Sequence, residues 1–594
     1  MDPEAPAELG YPEFARTARE QLEDGDRSAH RLNRGRLGVS HCETCYAGRN
    51  TGVNLPTRRS STGRQGLRGC PLRRSVALPS IAGEDQPRGW AEKRSGSGRP
   101  KGGSDGVKER QPGQAGPRER RGRLRTFPLP FPALTALIVT LTCATLLVGT
   151  TPGEAAVTAS KLWVKRYNGP ANEFDAAYGI AVSADGSKIL VTGGSDDATT
   201  ASDYATLAYD AATGSQLWAK RYDGPRNDDD VANAIVLSPD GARAFVTGQS
   251  YDSVTQYDYA TVAYDAATGS RLWVQRYDGP AHDSDFAYGI GVSPDGTTVL
   301  VTGGSVAAGT TSSDYATVAY DTVTGTKLWV KRYDGPGNGN DVATSIAVSP
   351  DGSRAFVAGQ STGLGSGLDY ATVAYDVSTG SQLWAKRYDG PAHDFDGVQD
   401  VAASPDGSKV FATGLSLGTG SSVDYATVAY DAATGAKLWA KRYDGPASDD
   451  DFAHGIAVTP DGSMTVVTGE SRGIGTDFDF ATVAYDSATG GKLWLKRFGA
   501  SDGPDVANDI VVSPDGSTAF VAGWTYGTLS DYAIVAYDAT DGTKLWVKTY
   551  NGPGNYVDLG FRIAVSPDGS RAFITGDSVG SGTFDDFATV AYST

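Results

Sequence analysis

The 594-residue chain holds 70 Asp and Glu against 53 Lys and Arg, a formal net charge of −17. That figure averages two unlike parts: residues 1–156 hold 25 Lys and Arg and 16 Asp and Glu, a balance of +9, which leaves 28 and 54, or −26, for residues 157–594. So acidic a surface argues against nucleic acid as a partner, because phosphate binding needs clustered cations that release counterions.

Residues 1–117 are rich in Arg, Gly, Ser and Pro and show no sustained apolar periodicity, so they predict a disordered extension or a mis-assigned start. Residues 118–156 follow the order of a secretory leader: the basic run RERRGRLR (Arg118 to Arg125), the apolar run Ala133 to Gly149, and the small-residue stretch GEAA before Val157. The apolar run is short for an uncleaved membrane anchor, which takes about 17 to 25 residues. Cleaved or anchored, the basic flank predicts that residues 157–594 lie outside the cytoplasm, secreted or held at the membrane only through 133–149. All four cysteines (Cys42, Cys45, Cys70, Cys143) precede residue 157, so the exported part has no thiol chemistry. HCETC (His41 to Cys45) supplies half of a zinc spacing and no second half.

From Trp163 onward the chain repeats. Trp163, Trp218, Trp273, Trp329, Trp384, Trp439, Trp494 and Trp546 each follow a Leu, at separations of 55, 55, 56, 55, 55, 55 and 52 residues, a period of repeat architectures. In one unit, VANAIVLSPDG (from Val231), RAFVTG (from Arg243), YATVAYDAATG (from Tyr259) and RLWVQRYDG (from Arg271) read as four strands of five to seven residues separated by turns. In the third, Tyr259, Thr261 and Ala263 alternate with Ala260, Val262 and Tyr264, so neither face is plainly polar and both need burial. That pattern predicts an all-β, eight-bladed β-propeller of four-stranded antiparallel blades. The turn after the first strand occurs eight times, at Asp185, Asp240, Asp295, Asp351, Asp406, Asp461, Asp515 and Asp568. The repeats open on a lone fourth strand, KLWVKRY (from Lys161), and end on a lone third strand, FATVAY (from Phe587). The N-terminal outer strand is therefore predicted to complete the last blade and close the ring, with no raw edge left to pair with another chain. A monomer is the expected state.

AYDAATGSQLW (Ala208 to Trp218) fits A-x-D-x-x-T-G-x-x-x-W and resembles the tryptophan-docking motif of the quinoprotein dehydrogenase propellers, also eight-bladed. IAVSPDGSRAFVAG (from Ile346) and DYATVAYD resemble bacterial surface propeller repeats of the SBBP type. The resemblance covers residues 161–594 and implies that the eight tryptophans dock one blade on the next. Members that oxidise alcohols hold a quinone and a calcium ion with residues that break repeat symmetry, and many carry an adjacent cysteine pair. Here the repeats are nearly interchangeable and cysteine-free, so the expectation is a non-enzymatic binding or scaffolding module without a cofactor. A quinone-dependent oxidoreductase and a lactonase-like propeller hydrolase are the alternatives, and each would need one blade set with convergent polar residues, which the sequence does not display.

Burying each docking ring removes about 150–250 Å² from water, worth about 4–6 kcal/mol as an upper bound. G-x-S-x-G occurs four times, at Gly359, Gly414, Gly469 and Gly576, but no helix follows it, and a nucleophile elbow requires one. The Lys-Arg pair of the fourth strand, as at Lys220 and Arg221, reads as charge that protects an exposed strand edge. One Asp stands before each first strand: Asp175, Asp230, Asp285, Asp341, Asp396, Asp451, Asp505 and Asp558. These eight would ring the channel mouth, either accepting local backbone N–H bonds or binding calcium or a cationic ligand. The loops between second and third strands vary most, and variable loops on a rigid scaffold are where function usually resides. Their aromatics Tyr251, Tyr257, Trp524 and Tyr526 are positioned to stack on a carbohydrate or anchor an extracellular protein, and each reads equally as loop packing.

Overall fold

Runs of β-branched and aromatic residues between Gly-containing turns favour strands throughout. The computed structural model describes residues 159–594 apart from 198–200, 421 and 501–502, and among them it has 32 strands and no helix. The N-terminal extension, the leader segment and the four cysteines lie outside the described residues. No helix of the described residues is long and apolar enough to cross a membrane.

The strands form eight antiparallel four-stranded sheets. The first pairs β2 (Asp175–Val182), β3 (Lys188–Asp196), β4 (Ser202–Asp210) and β5 (Gln216–Tyr222) in sequence order, and the next six repeat it. The last combines β30 (Asp558–Val565), β31 (Arg571–Val579) and β32 (Asp585–Ser593) with β1 (Lys161–Tyr167). β1 runs antiparallel to β32 from Lys161 opposite Tyr592 to Tyr167 opposite Phe587. Each inner strand touches the next, and β2 touches β30. The ring is closed as the repeat ends predicted.

Second and third strands reach nine or ten residues, longer than the sequence pattern suggested. Pairing continues into the loops, where Tyr251 opposes Tyr257 and Asp252 opposes Gln256. The two sheet faces are apolar because each blade packs between neighbours. One core cluster joins Leu190, Tyr204, Ala208 and Trp218 of the first blade to Ala232, Ile235, Val246, Val262 and Tyr264 of the second. Another joins Ile189, Val191, Leu207 and Tyr209 to Phe573, Phe587 and Ala591 across the closure. Tyr204 spans the same gap with its hydroxyl, which donates to the Ala260 carbonyl at 3.1 Å, so a fully buried phenol keeps a partner.

Candidate functional site

The two ends of the ring differ chemically. One carries only tight turns. In the first blade Asp210 accepts from Thr213 N and Thr213 Oγ1 at 2.8 Å each, which lowers its pKa and closes the turn. Gly214 follows at φ +68°, and a Cβ there would stand 2.7 Å from Cδ2 of Trp163. Trp163 Nε1 in turn donates to the Ala211 carbonyl at 3.2 Å. Trp218, Trp273, Trp329, Trp384, Trp439 and Trp494 donate likewise to Ala266, Thr322, Val377, Ala432, Ser487 and Ala539 of the following blade, at 2.8–3.1 Å. Trp546 packs beside Ala159 and Tyr592, where the segment leading into β1 and the end of β32 stand in place of that turn. The indoles are buried in the blade junctions.

The other end carries the long loops, and a brace holds them. Arg221 of β5 crosses its own sheet: Nε and Nη2 donate to Asp203 Oδ2 of β4 at 3.0 and 2.8 Å, and Nη2 donates to the Ser195 carbonyl of β3 at 2.6 Å. Equivalent ion pairs link Arg276 to Asp258, Arg332 to Asp314, Arg387 to Asp369, Arg442 to Asp424, Arg497 to Asp479 and Arg166 to Asp586. The arginine of the Lys-Arg pair is thus a three-strand tie rather than free edge-protecting charge. The sequence hides this because Asp203 and Arg221 are far apart along the chain and meet only through sheet register, Ala205 opposite Arg221. The serines of G-x-S-x-G are consumed by the same brace. Ser361, Ser416, Ser471 and Ser578 are fully buried, and an arginine Nη1 contacts each hydroxyl.

Asp175, Asp230, Asp285, Asp341, Asp396, Asp451, Asp505 and Asp558 are all buried, each the first residue of an inner strand, facing a Ser or Thr on the second strand. Each accepts from a loop backbone N–H, from Gly169 to Asp175 and Gly224 to Asp230 at 2.6 and 2.5 Å, and from Ala500 to Asp505 at 2.9 Å. Desolvation raises Asp175, Asp341, Asp396, Asp451 and Asp558 to about 6 and Asp230 and Asp285 to about 7, with the loop N–H and the serine hydroxyl pulling the other way. In five junctions the structure adds two further carboxylates, as in Asp203, Asp223 and Asp230, whose oxygens lie within 4.8 Å of one another.

Around the axis the repeats stop being interchangeable, which sequence reading missed. The fifth residue of successive inner strands is Gly179, Ala234, Gly289, Ser345, Asp400, Gly455, Asp509 and Arg562. Asp400 Oδ2 accepts from Ile456 N of the next inner strand at 3.1 Å, and its Oδ1 accepts from Ser345 Oγ at 2.9 Å. Asp509 accepts from Ile563 N at 2.9 Å. Thr344 Oγ1 and Asn508 Nδ2 donate to the Val398 and Gly560 carbonyls. These side chains cap backbone groups on the open edges of neighbouring inner strands, where no further strand pairs. Burial and the charge of Asp509 raise Asp400 to about 6. His454 Nε2 and Glu470 Oε1 stand 3.6 Å apart, both buried, one blade further on. Aligning the inner strands column by column is the signal that would have found this set.

Of the loop aromatics, Tyr251 and Tyr257 meet edge to face at 5.3 Å, and Tyr257 lies 5.3 Å from Phe286. With Tyr288 stacked on Phe286 they make a half-buried aromatic group on the loop end. Trp524 is different. It is buried against Val557 and Leu559, because it belongs to β27 (Thr518–Tyr526), and it offers no surface to a ligand. Tyr526 covers Gly503, where a Cβ would collide with its ring.

The profile of the family described as outer membrane protein assembly factor BamB matches residues 155–284, 205–427 and 423–579. The chain belongs to this family of PQQ-like propellers. No curated protein matches the sequence. Among solved structures, the quinohemoprotein alcohol dehydrogenase of Comamonas testosteroni is 14% identical, with 73% of this chain covering 76% of that one at a TM-score of 0.49. Sqt1 of Chaetomium thermophilum is 13% identical over 74% of this chain and 100% of its own, at 0.47. BamB of Moraxella catarrhalis is 13% identical over 74% and 100%, at 0.41. Pyrroloquinoline quinone, the cofactor for which these propellers are called PQQ-like, is a tricarboxylate and needs converging cationic donors. Among the described residues, the fifth positions of the inner strands of this BamB-family chain carry two carboxylates, Asp400 and Asp509, and one guanidinium, Arg562, which faces Asp509, and both carboxylates already accept backbone N–H bonds. These residues do not fit the quinone.

Proposed function

We propose that this BamB-family propeller is an exported, non-catalytic scaffold that docks a protein partner on its loop end. One observation carries the reading. The loop tips of alternate blades expose an apolar side chain to water: Val254 (74% exposed) in the second, Leu364 (79%) in the fourth, Ile474 (78%) in the sixth and Phe584 (57%) in the eighth. A single exposed apolar residue means little, but recurrence in every second blade on one face is a pattern an interface would use. The turn end exposes Val323 in one turn and, at the start of every outer strand, a leucine that is 43–51% exposed, each leucine less exposed than the loop tips. Membership of a family described as an outer membrane protein assembly factor supports both the extracytoplasmic location and the scaffolding role. The net charge of −26 across the propeller favours a partner with a basic contact surface, whose association should be faster at low salt.

The test is cross-linking capture from an envelope fraction with residues 157–594, comparing the wild type with the combined variant V254S/L364S/I474S/F584S. Loss of a specific captured protein with an unchanged melting temperature supports the scaffold. Equal capture by both proteins sinks the docking face, and quinone-dependent alcohol oxidation by the wild type would sink the non-catalytic reading.

A further inference from the structure

We infer that Asp258, Asp278 and Asp285 form a calcium site at the junction of the second and third blades. Asp258 lies on β8 (Gln256–Asp265), Asp278 directly follows β9 (Arg271–Tyr277), and Asp285 opens β10 (Asp285–Val292). One oxygen from each lies within 4.8 Å of the others. Oxygens no further apart than this can all reach one Ca²⁺, whose oxygen ligands stand about 2.3–2.6 Å from the ion.

The second observation is how each carboxylate is held. Asp258 Oδ2 accepts from Arg276 Nε and Nη2 at 3.2 and 2.8 Å and from Thr255 Oγ1 at 3.1 Å. Asp278 Oδ2 lies 2.6 Å from His282 Nδ1. Asp285 Oδ2 accepts from Gly279 N. In all three residues the other oxygen, Oδ1, is buried and has no hydrogen-bond partner, although Asp285 is fully inaccessible and Asp258 is 4% exposed. Anchoring one oxygen while excluding water from the other is costly unless something accepts that lone pair. The Ser305 hydroxyl beside Asp285 eases its burial without offsetting it.

Charge and donor type agree. With all three carboxylates ionised, they and the guanidinium of Arg276 leave a surplus of two negative charges, which one divalent cation neutralises. All the free donors are carboxylate oxygens, the set that hard cations prefer over zinc. The four other triads, Asp203/Asp223/Asp230, Asp314/Asp334/Asp341, Asp369/Asp389/Asp396 and Asp424/Asp444/Asp451, have at most two such free oxygens each. In Asp341, for instance, Oδ1 is taken by Thr362 N. Where the position of Asp278 is filled by Asn168, Gly499 or Asn551, no triad forms among the described residues.

The experiment is a melt of the full propeller against calcium in a constant magnesium background, with isothermal titration of the same protein. The wild type should gain about 1–2 °C in Tm for each tenfold rise in calcium above Kd, and Asp278→Asn should lose most of that gain while keeping the calcium-free Tm. A wild-type Tm indifferent to calcium overturns the site, as does full retention of the gain in Asp278→Asn. Should that variant fail to fold, terbium luminescence sensitised by Tyr257 and Tyr277 decides the matter in the wild type. Emission displaced by calcium supports the site, and emission that calcium does not displace overturns it.

Discussion

A Cβ added to Gly435 would lie 2.7 Å from Cδ2 of Trp384, so a turn glycine in one blade is the floor on which the indole of the preceding blade rests. The glycine is required twice, once for φ +67° and once for the ring. Trp384→Ala should cost about 3–5 kcal/mol, as buried large aromatics do. Gly435→Ala should cost about 2–4 kcal/mol, from left-handed backbone strain plus overpacking. In the double variant the alanine at 435 no longer meets a ring, so the two losses should sum to less than their separate values. Urea unfolding of the four proteins measures this, and full additivity would remove the contact from the account.

The closure strand makes a second prediction. Deleting Lys161 to Asn168 takes away the partner of β32 and uncovers Ala591 and Phe587, which pack in the cluster around Trp163. The truncated ring should melt lower and associate through its bare edge. Light scattering and calorimetry report both, and a monomeric product with the parent Tm would contradict closure by strand exchange.

A third concerns the arginine brace. Arg442→Met leaves Asp424 with a buried charge and no cation, which should cost about 2–4 kcal/mol. The seventh blade contains the reverse experiment. There Thr549 occupies the arginine position, and the pKa of Asp531 is raised by burial alone. Thr549→Arg should therefore stabilise the protein by about 0.5–1.5 kcal/mol. A destabilised T549R protein would show that the brace does not transfer between blades.

The fourth is a pH dependence at the axis. Asp400 has its pKa raised to about 6 by burial and by Asp509, against hydrogen bonds from Ser345, Val401 and Ile456 that pull it down, while Arg562 sits against Asp509. A carboxyl group with a folded pKa above its unfolded value binds its proton more tightly when folded. Its contribution is complete below about pH 4 and is lost as pH climbs through about 6, amounting to about 2–3 kcal/mol. Seven of the aspartates that open the inner strands, raised to about 6 or 7, titrate in the same window, so Asp400→Asn should make the fall in Tm between pH 4.5 and pH 7.5 shallower by the share of one group. Parallel profiles for the two proteins would place the titration elsewhere.

What the sequence determined by itself is whatever repeats. The 55-residue spacing of the tryptophans, the eight Asp-Gly turns and the mismatched first and last strands specify eight blades and their closure, because local turn chemistry and strand alternation act within a few residues and recur in every unit. The Thr-Gly turn and the tryptophan could be assigned to blade docking for the same reason. What only the tertiary structure decided involves residues brought together by register or by the ring. Asp203 and Arg221 meet across β4 and β5, and Asp258, Asp278 and Asp285 come from two blades. Asp400 and Asp509 interact from inner strands two blades apart. Burial was equally invisible: Trp524 sits in a variable stretch that reads as a loop, yet continued pairing with β28 (Ser530–Asp538) carries it inward. Solvent exposure and charge pairing depend on the distances between chain segments, and the periodic pattern of a single repeat contains no information about which different side chain the neighbouring blade will present.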